Sequence, residues 1–258
     1  MTRRIIDVKG KKLYIEHDNS FKNKPTIVFL HDSLGCTQLW RDFPAKLSEA
    51  TQCNVLVYDR LGYGKSFPMV SHERENNYME LEADLLNELL EELNINNVIL
   101  FGHSDGGTIA LIAASKYPES VKAVICEAGH IFVEDITVKG VSDAFEAYKT
   151  TDLPERLAKY HGDKVPMIVK AWTEIWLSDR FKNWNIEYLL KNITSPLLFI
   201  QGEADEYGTL DQVEKTINQV SGKSEKYIIP NVGHTPHKEV PDLVLNKSVE
   251  FINNIFKN

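Results

Sequence analysis

Two rhythms of apolar residues alternate along this chain. Short, largely apolar runs (Pro25–Leu30, Cys53–Tyr58, Val98–Phe101, Val121–Cys126, Pro196–Ile200) have the length and content of strands buried on both faces of a sheet. Between them lie stretches with helical spacing. Tyr78–Leu93 carries leucines at 81, 85, 86, 89, 90 and 93, which fall on one helix face, while Glu82, Asp84, Glu88, Glu91 and Glu92 form a solvated one. Further helices are expected from Trp40 to Ala50 with Pro44 in the first turn, Thr108 to Tyr117, Leu210 to Val220 and Leu243 to Phe256. Lys226–Ile229 reads as the last strand. Strict alternation of strand and helix implies a mostly parallel twisted sheet with helices on both faces, an α/β fold. Ahead of it, Ile5–Val8 and Leu13–Glu16 flank Lys9-Gly10-Lys11 and read as a hairpin at a sheet edge.

The alternation breaks after the sixth strand, at Glu127-Ala-Gly-His130. From there to about Asn192 no strand pattern appears, helical spacing marks Val141–Tyr148 and Ile168–Leu177, and aromatic residues recur from Phe132 to Tyr188. This is the pattern of a helical insertion over the C-terminal edge of the sheet, where open α/β sheets bind ligands. The chain therefore divides into a core of residues 1–129, a helical cap of 130–192 and a second core part of 193–258. Within the insertion His130, Trp172 and Trp176 are the expected pocket-lining residues.

Composition narrows the setting. A formal charge of −8 disfavours nucleic acid or an anionic membrane as partner, since either needs clustered Lys and Arg. Cys36, Cys53 and Cys126 are too few and scattered for a disulfide framework or a zinc site. The basic start, Met1 to Arg4, is followed by an apolar run already broken at Asp7, and no stretch reaches the roughly 18 apolar residues of a membrane span. The expectation is a soluble protein of a reducing cytoplasm, with a small-molecule partner.

The chemistry centres on Gly102-His-Ser104-Asp-Gly106, placed between a strand and a small-residue helix. A serine on such a sharp turn needs flanking residues without Cβ atoms, and the turn lifts its hydroxyl off the sheet. Serine is a weak nucleophile near neutral pH and needs a base oriented by an acid. In a parallel sheet these must come from loops at the strands' C-terminal ends. Gln201-Gly-Glu-Ala-Asp205-Glu206 offers the acid, with Asp205 favoured, Glu203 and Glu206 solvated, and Glu127, at the end of the preceding strand, the alternative. Pro230-Asn-Val-Gly-His234 offers the base, with His237 expected at the surface. His234 and His237 could also be spaced as His-x-x-His metal ligands, but no third ligand is in register. The oxyanion donors are expected to be the backbone N–H of Asp105 and that of Ser33, on the His31–Gly35 loop, which His31 braces. His103 should point away from the site. Asp59-Arg-Leu-Gly-Tyr-Gly-Lys-Ser66 lacks the third glycine of a dinucleotide fingerprint and reads as a turn.

With these motifs in place, the chain from about Pro25 to its C-terminus resembles the α/β-hydrolase fold family, as a capped serine hydrolase. Asp32 departs from the pattern, since many relatives have Gly after the loop histidine. The run from Ser104 to Pro118 is similar to the biphenyl-hydrolase-like branch, which includes valacyclovir hydrolase. That resemblance implies that Asp105 could also receive a substrate ammonium; the plainer reading is that its carboxylate stabilises the turn at the helix end. The expected activity is hydrolysis of a small carboxylic ester or related acyl compound through a Ser104–His234–Asp205 triad and an acyl-enzyme, without cofactor or metal. Alternatives are cleavage of a C–C bond or enol-lactone by the same site, and a non-catalytic ligand-binding member of the fold.

Overall fold

The computed structural model describes residues 1–255, and the expected end of the last helix, Phe256, lies outside them. Among these residues eight strands form one sheet in the order β1-β2-β4-β3-β5-β6-β7-β8. The edge hairpin is β1 (Thr2–Val8) and β2 (Lys11–Asp18). Lys9 and Gly10 between them both take positive φ, as a two-residue turn joining right-twisted strands requires. From β3 (Thr26–Leu30) onward the strands β4 (Asn54–Tyr58), β5 (Val98–His103), β6 (Val121–Glu127), β7 (Leu197–Gly202) and β8 (Ser224–Ile229) pair in parallel, and β2 alone runs against them.

Why these runs lack alternation is visible in the packing. Successive side chains leave a strand on opposite faces, so a strand covered on both sides must be apolar throughout. In β3, Val28 and Leu30 join the core that also holds Leu86 and Leu89, while Ile27 and Phe29 join the one holding Phe43 and Leu47. The first layer contains α2 (Tyr78–Glu92) and α3 (Asp105–Lys116); the second contains α1 (Phe43–Thr51) and, after the short α9 (Pro236–Glu239), α10 (Pro241–Ile255). The start of the expected Trp40–Ala50 helix is a separate 3-10 turn, Thr37–Trp40, with Arg41 at positive φ between the two.

The segment between β6 and β7 is helical, as its pattern suggests. It contains α4 (Asp135–Thr150), α5 (Leu153–His161), α6 (Val165–Trp176) and α7 (Glu187–Leu190), followed after β7 by α8 (Leu210–Gln219). The extended contact found there is one isolated bridge, Phe132 to Asn185. Helix α5 has no counterpart in the sequence pattern, because its apolar positions are few and its charges many. Trp176, Phe181 and Trp184 pack edge-to-face and stacked on one another, so part of the aromatic content is simply core. Among the described residues no helix is long and apolar enough to cross a membrane, and the three cysteines are buried and unpaired.

Candidate active site

Ser104 sits between β5 and α3 with φ 54° and ψ −122°, a backbone conformation an L-residue adopts only under constraint. The constraint is close packing on both sides. A Cβ on Gly102 would stand 2.1 Å from the carbonyl oxygen of Gly106, and one on Gly106 would stand 2.1 Å from that of Leu30. Both glycines are therefore required by contact.

Three loops at the same sheet edge converge on this serine. Ser104 Oγ lies 2.9 Å from His234 Nε2, and His234 Nδ1 lies 2.9 Å from both carboxylate oxygens of Asp205. Because Nδ1 faces a carboxylate it carries the proton, which leaves Nε2 as acceptor for the serine hydroxyl. Asp205 also accepts from Gln201 Nε2 at 2.7 Å and from the Tyr207 N–H at 2.8 Å. Burial pushes its pKa up, but the hydrogen bond and charge of His234 with the Tyr207 N–H outweigh that, and the carboxyl is held below its ordinary value. The chain Ser104–His234–Asp205 thus has the geometry expected of nucleophile, base and acid.

Glu127 does not share in it. Its carboxylate accepts from His237 Nδ1 at 2.8 Å and from the His237 backbone N–H at 2.6 Å, and the side chain is sealed from solvent. The expectation that His237 lies at the surface is corrected: it is 5% exposed, and Glu127 draws it inward. This pair anchors the loop that carries His234. The same loop is held by His103 Nε2, which donates to the His234 carbonyl at 2.8 Å, and by Glu206 and Glu239, which accept backbone N–H groups of His234 and Gly233. His103 therefore acts on the loop backbone, not on Ser104. Glu203 and Glu206 are exposed, as expected, though Glu206 also borders the cavity. His234 and His237 serve different carboxylates, and among the described residues no cluster of three or more metal-ligating side chains occurs.

The loop after β3 is fixed through one carbonyl. Asp32 O accepts from His31 Nδ1 at 2.7 Å, from Arg60 Nη2 at 3.1 Å and from the Gly35 N–H at 3.2 Å. His31 Nε2 in turn accepts the Arg60 N–H at 3.0 Å, so His31 braces the loop as a neutral ring; burial, then the nearby Arg60 charge, holds its pKa well below the ordinary histidine value. In a trans peptide the N–H points opposite to the carbonyl. Pinning Asp32 O on three donors therefore turns the Ser33 N–H away from them, and Ser33 borders the same cavity as Ser104. Asp32 itself, half-buried, is held well below the usual carboxylate range: burial opposes this, but the facing His103 and Lys238 outweigh it.

The stretch read as a simple turn, Asp59–Ser66, is more than that. Arg60 is fully buried, lies 3.6 Å from the Asp105 carboxylate, and has Tyr63 4.8 Å from its Cζ. Asp105 also accepts from Tyr78 Oη at 3.1 Å, and Tyr78 Oη accepts from Trp176 Nε1 at 3.0 Å. A fully buried guanidinium needs a buried anion, and Asp105 is it. The run Tyr-Asp-Arg at a strand's end was a signal in the sequence, since a charge so close to an apolar strand implies a partner.

Above Ser104 lies a cavity of about 260 Å³. It is lined by His130, Trp172 and Trp176, as expected, and by residues the pattern did not single out, among them Leu34, Val141, Leu153 and Tyr207. His130 is a ring donor to the Tyr207 carbonyl at 3.0 Å; burial, then His234, lowers its pKa. Its apolar side is built largely by Val141 and Ala144 of α4 and Trp172 and Trp176 of α6, and among the described residues no Lys or Arg lines it.

A family model described as the α/β-hydrolase fold matches residues 25–168. A putative esterase/lipase of Haemophilus influenzae is 26% identical over 251 residues, covering 90% of this chain and 84% of that protein. Serine hydrolase BPHL of Mus musculus is 25% identical over 245 residues, covering 92% and 82%. Among solved structures, MGS-M2, an α/β-hydrolase enzyme from a deep-sea metagenome library, superposes with a TM-score of 0.76 at 23% identity over 97% of each chain. That likeness speaks to the fold.

Proposed function

The chain belongs to the α/β-hydrolase fold family, and from that premise we propose that it is a serine hydrolase of small carboxylic esters or related acyl compounds. The observation that carries the reading is the continuous hydrogen-bonded chain from Ser104 Oγ through His234 to Asp205. Ser104 attacks the carbonyl carbon while His234 Nε2 takes its proton, and Asp205 stabilises the imidazolium so formed. The N–H groups of Asp105 and Ser33 receive the oxyanion. His234 then protonates the leaving alkoxide, the acyl group stays on Ser104, and water activated by His234 releases it. The esterase/lipase name of the Haemophilus relative agrees with this chemistry.

Helices α4 to α7 act as the cap, and their apolar wall favours a neutral acyl group of small to medium size. Asp105 contributes its N–H, while its carboxylate is engaged by Arg60 and Tyr78. Receiving a substrate ammonium would require it to leave those partners. His130, Trp172 and Trp176 shape the acyl pocket, and no step of the reaction calls on a metal or cofactor.

Covalent labelling with a fluorophosphonate, followed by peptide mass spectrometry, tests the assignment. An adduct on Ser104 that is lost in His234→Ala is expected. A folded protein without an adduct would overturn the acyl-enzyme route.

A further inference from the structure

His161 closes α5, far in sequence from Ser104, and is buried to 2% exposure. Its ring joins three parts of the molecule. Nδ1 accepts the backbone N–H of Gly64 at 2.9 Å, and Nε2 lies 3.0 Å from the carbonyl of Leu34. An acceptor at Nδ1 and a donor at Nε2 define one neutral tautomer. Burial, the largest influence, favours that neutral form and holds the pKa below the ordinary histidine value. Beside it, Lys164 donates to the carbonyls of Gly64 and Ser66, so the same helical segment grips the Asp59–Ser66 loop twice.

The Leu34 carbonyl matters because it shares a peptide unit with the Gly35 N–H. That peptide is trans, so fixing its carbonyl on His161 turns the Gly35 N–H the other way, where it donates to Asp32 O at 3.2 Å. Asp32 O belongs in turn to the peptide whose N–H is that of Ser33. Two trans peptides in series thus connect the His161 ring to the second oxyanion donor. Resting on the serine-hydrolase reading above, we propose that His161 is a positioning residue for the oxyanion loop: the helical insertion, besides walling the pocket, joins His31 and Arg60 in setting the direction of the Ser33 N–H. His161 touches no reacting atom, and its effect is confined to the step in which charge gathers on the carbonyl oxygen.

Replacing His161 separates this from a packing role. Gln can place an amide N–H near the position of Nε2 and so keep the bond to Leu34, whereas Asn reaches only the position of Nδ1 and Ala keeps neither. With a short-chain p-nitrophenyl ester, His161→Asn and His161→Ala are expected to lose about ten- to a hundredfold in kcat with KM little changed. His161→Gln should recover most of that loss. Amide hydrogen exchange in the 31–36 peptide should rise in the Asn and Ala variants and stay low in the Gln variant, which reads the same bond without turnover. Folding is followed by circular dichroism and thermal melts. Variants that match wild type in both kcat and exchange would overturn the inference, as would a Gln variant no better than Asn. A wild-type protein that neither turns over the ester nor labels at Ser104 would instead overturn the hydrolase reading, and exchange alone would then decide whether His161 holds the loop.

Discussion

The guanidinium of Arg60 lies 3.6 Å from the carboxylate of Asp105, with Arg60 fully buried and Asp105 nearly so. Asp105 is also the residue whose N–H comes directly after the nucleophile, so this pair ties the charge of the β4 loop to the start of α3. The same Arg60 donates to Asp32 O, which belongs to the peptide of the Ser33 N–H. One buried cation therefore touches both halves of the proposed oxyanion site. Removing one partner of such a pair leaves an uncompensated charge in the interior. Arg60→Met is expected to lower unfolding free energy by about 3–5 kcal/mol, measured by urea denaturation. A loss below about 1 kcal/mol would mean that the pair contributes little.

The pairing also bears on substrates. If Asp105 stays with Arg60 and Tyr78, free-amine amino-acid esters gain nothing from it. Their kcat/KM and those of the N-acetylated esters should agree within about threefold, since the ion pair worth more than a kcal/mol is absent. A preference above about tenfold for the free amine would show that Asp105 turns to the substrate.

The two candidate acids are separable by substitution. Asp205→Asn forces the wrong tautomer on His234, and kcat is expected to fall roughly 10⁴-fold with the fold intact. Glu127→Gln removes the charge that holds His237; a stability loss of about 2–4 kcal/mol is expected, with activity retained within about tenfold in the folded fraction. Steady-state kinetics beside urea melts give both numbers. The reverse pattern would transfer the acid role to Glu127.

Much of this was legible in the sequence. The strands were readable because burial on both faces demands continuous apolar runs, and Gly102-x-Ser104-x-Gly106 because a Cβ at either glycine would enter backbone. Ser104, Asp205 and His234 emerged from chain order and loop position. His237 was misplaced because proximity to a helix start says nothing about a carboxylate arriving from β6. Arg60 and His161 went unnoticed for a related reason. Their partners are backbone groups and side chains tens of residues away; for Arg60 the charge beside an apolar strand shows that a partner exists but not which, and His161 has no periodic or local signature at all. Helix α5 was missed because its apolar face is short and it is held partly by the polar contacts of His161.

The wall of the pocket should set acyl length. Trp172 lines the cavity from α6 and is largely buried. Trp172→Ala should move the optimum among p-nitrophenyl esters toward longer chains, at a stability cost of about 3–5 kcal/mol. Val141→Phe, on the facing helix α4, should move it toward acetate. An unchanged chain-length profile in both variants would place the acyl group elsewhere.

Stability should fall on acidification, because the histidines are mostly buried as neutral rings. Burial is the largest influence on His17, His31, His130, His161 and His237, and each is held below the ordinary value. The unfolded chain, with histidine pKa near about 6.5, binds more protons than the native one between the depressed values and that point. Their contribution is thus fully present above about pH 6.5 and is lost as pH falls through the native values. Asp32, Glu127 and Asp205, held below the usual carboxylate range, extend the loss at lower pH. His103 runs the other way. Burial opposes its charge, but Asp32 and Glu127 outweigh that and raise its pKa, so its contribution is present in acid and lost as pH rises. Five rings against one predict a higher urea midpoint at pH 7.5 than at pH 5.5, with a smaller difference in His161→Gln. Equal midpoints at the two pH values would mean that these rings titrate alike in the folded and unfolded chains.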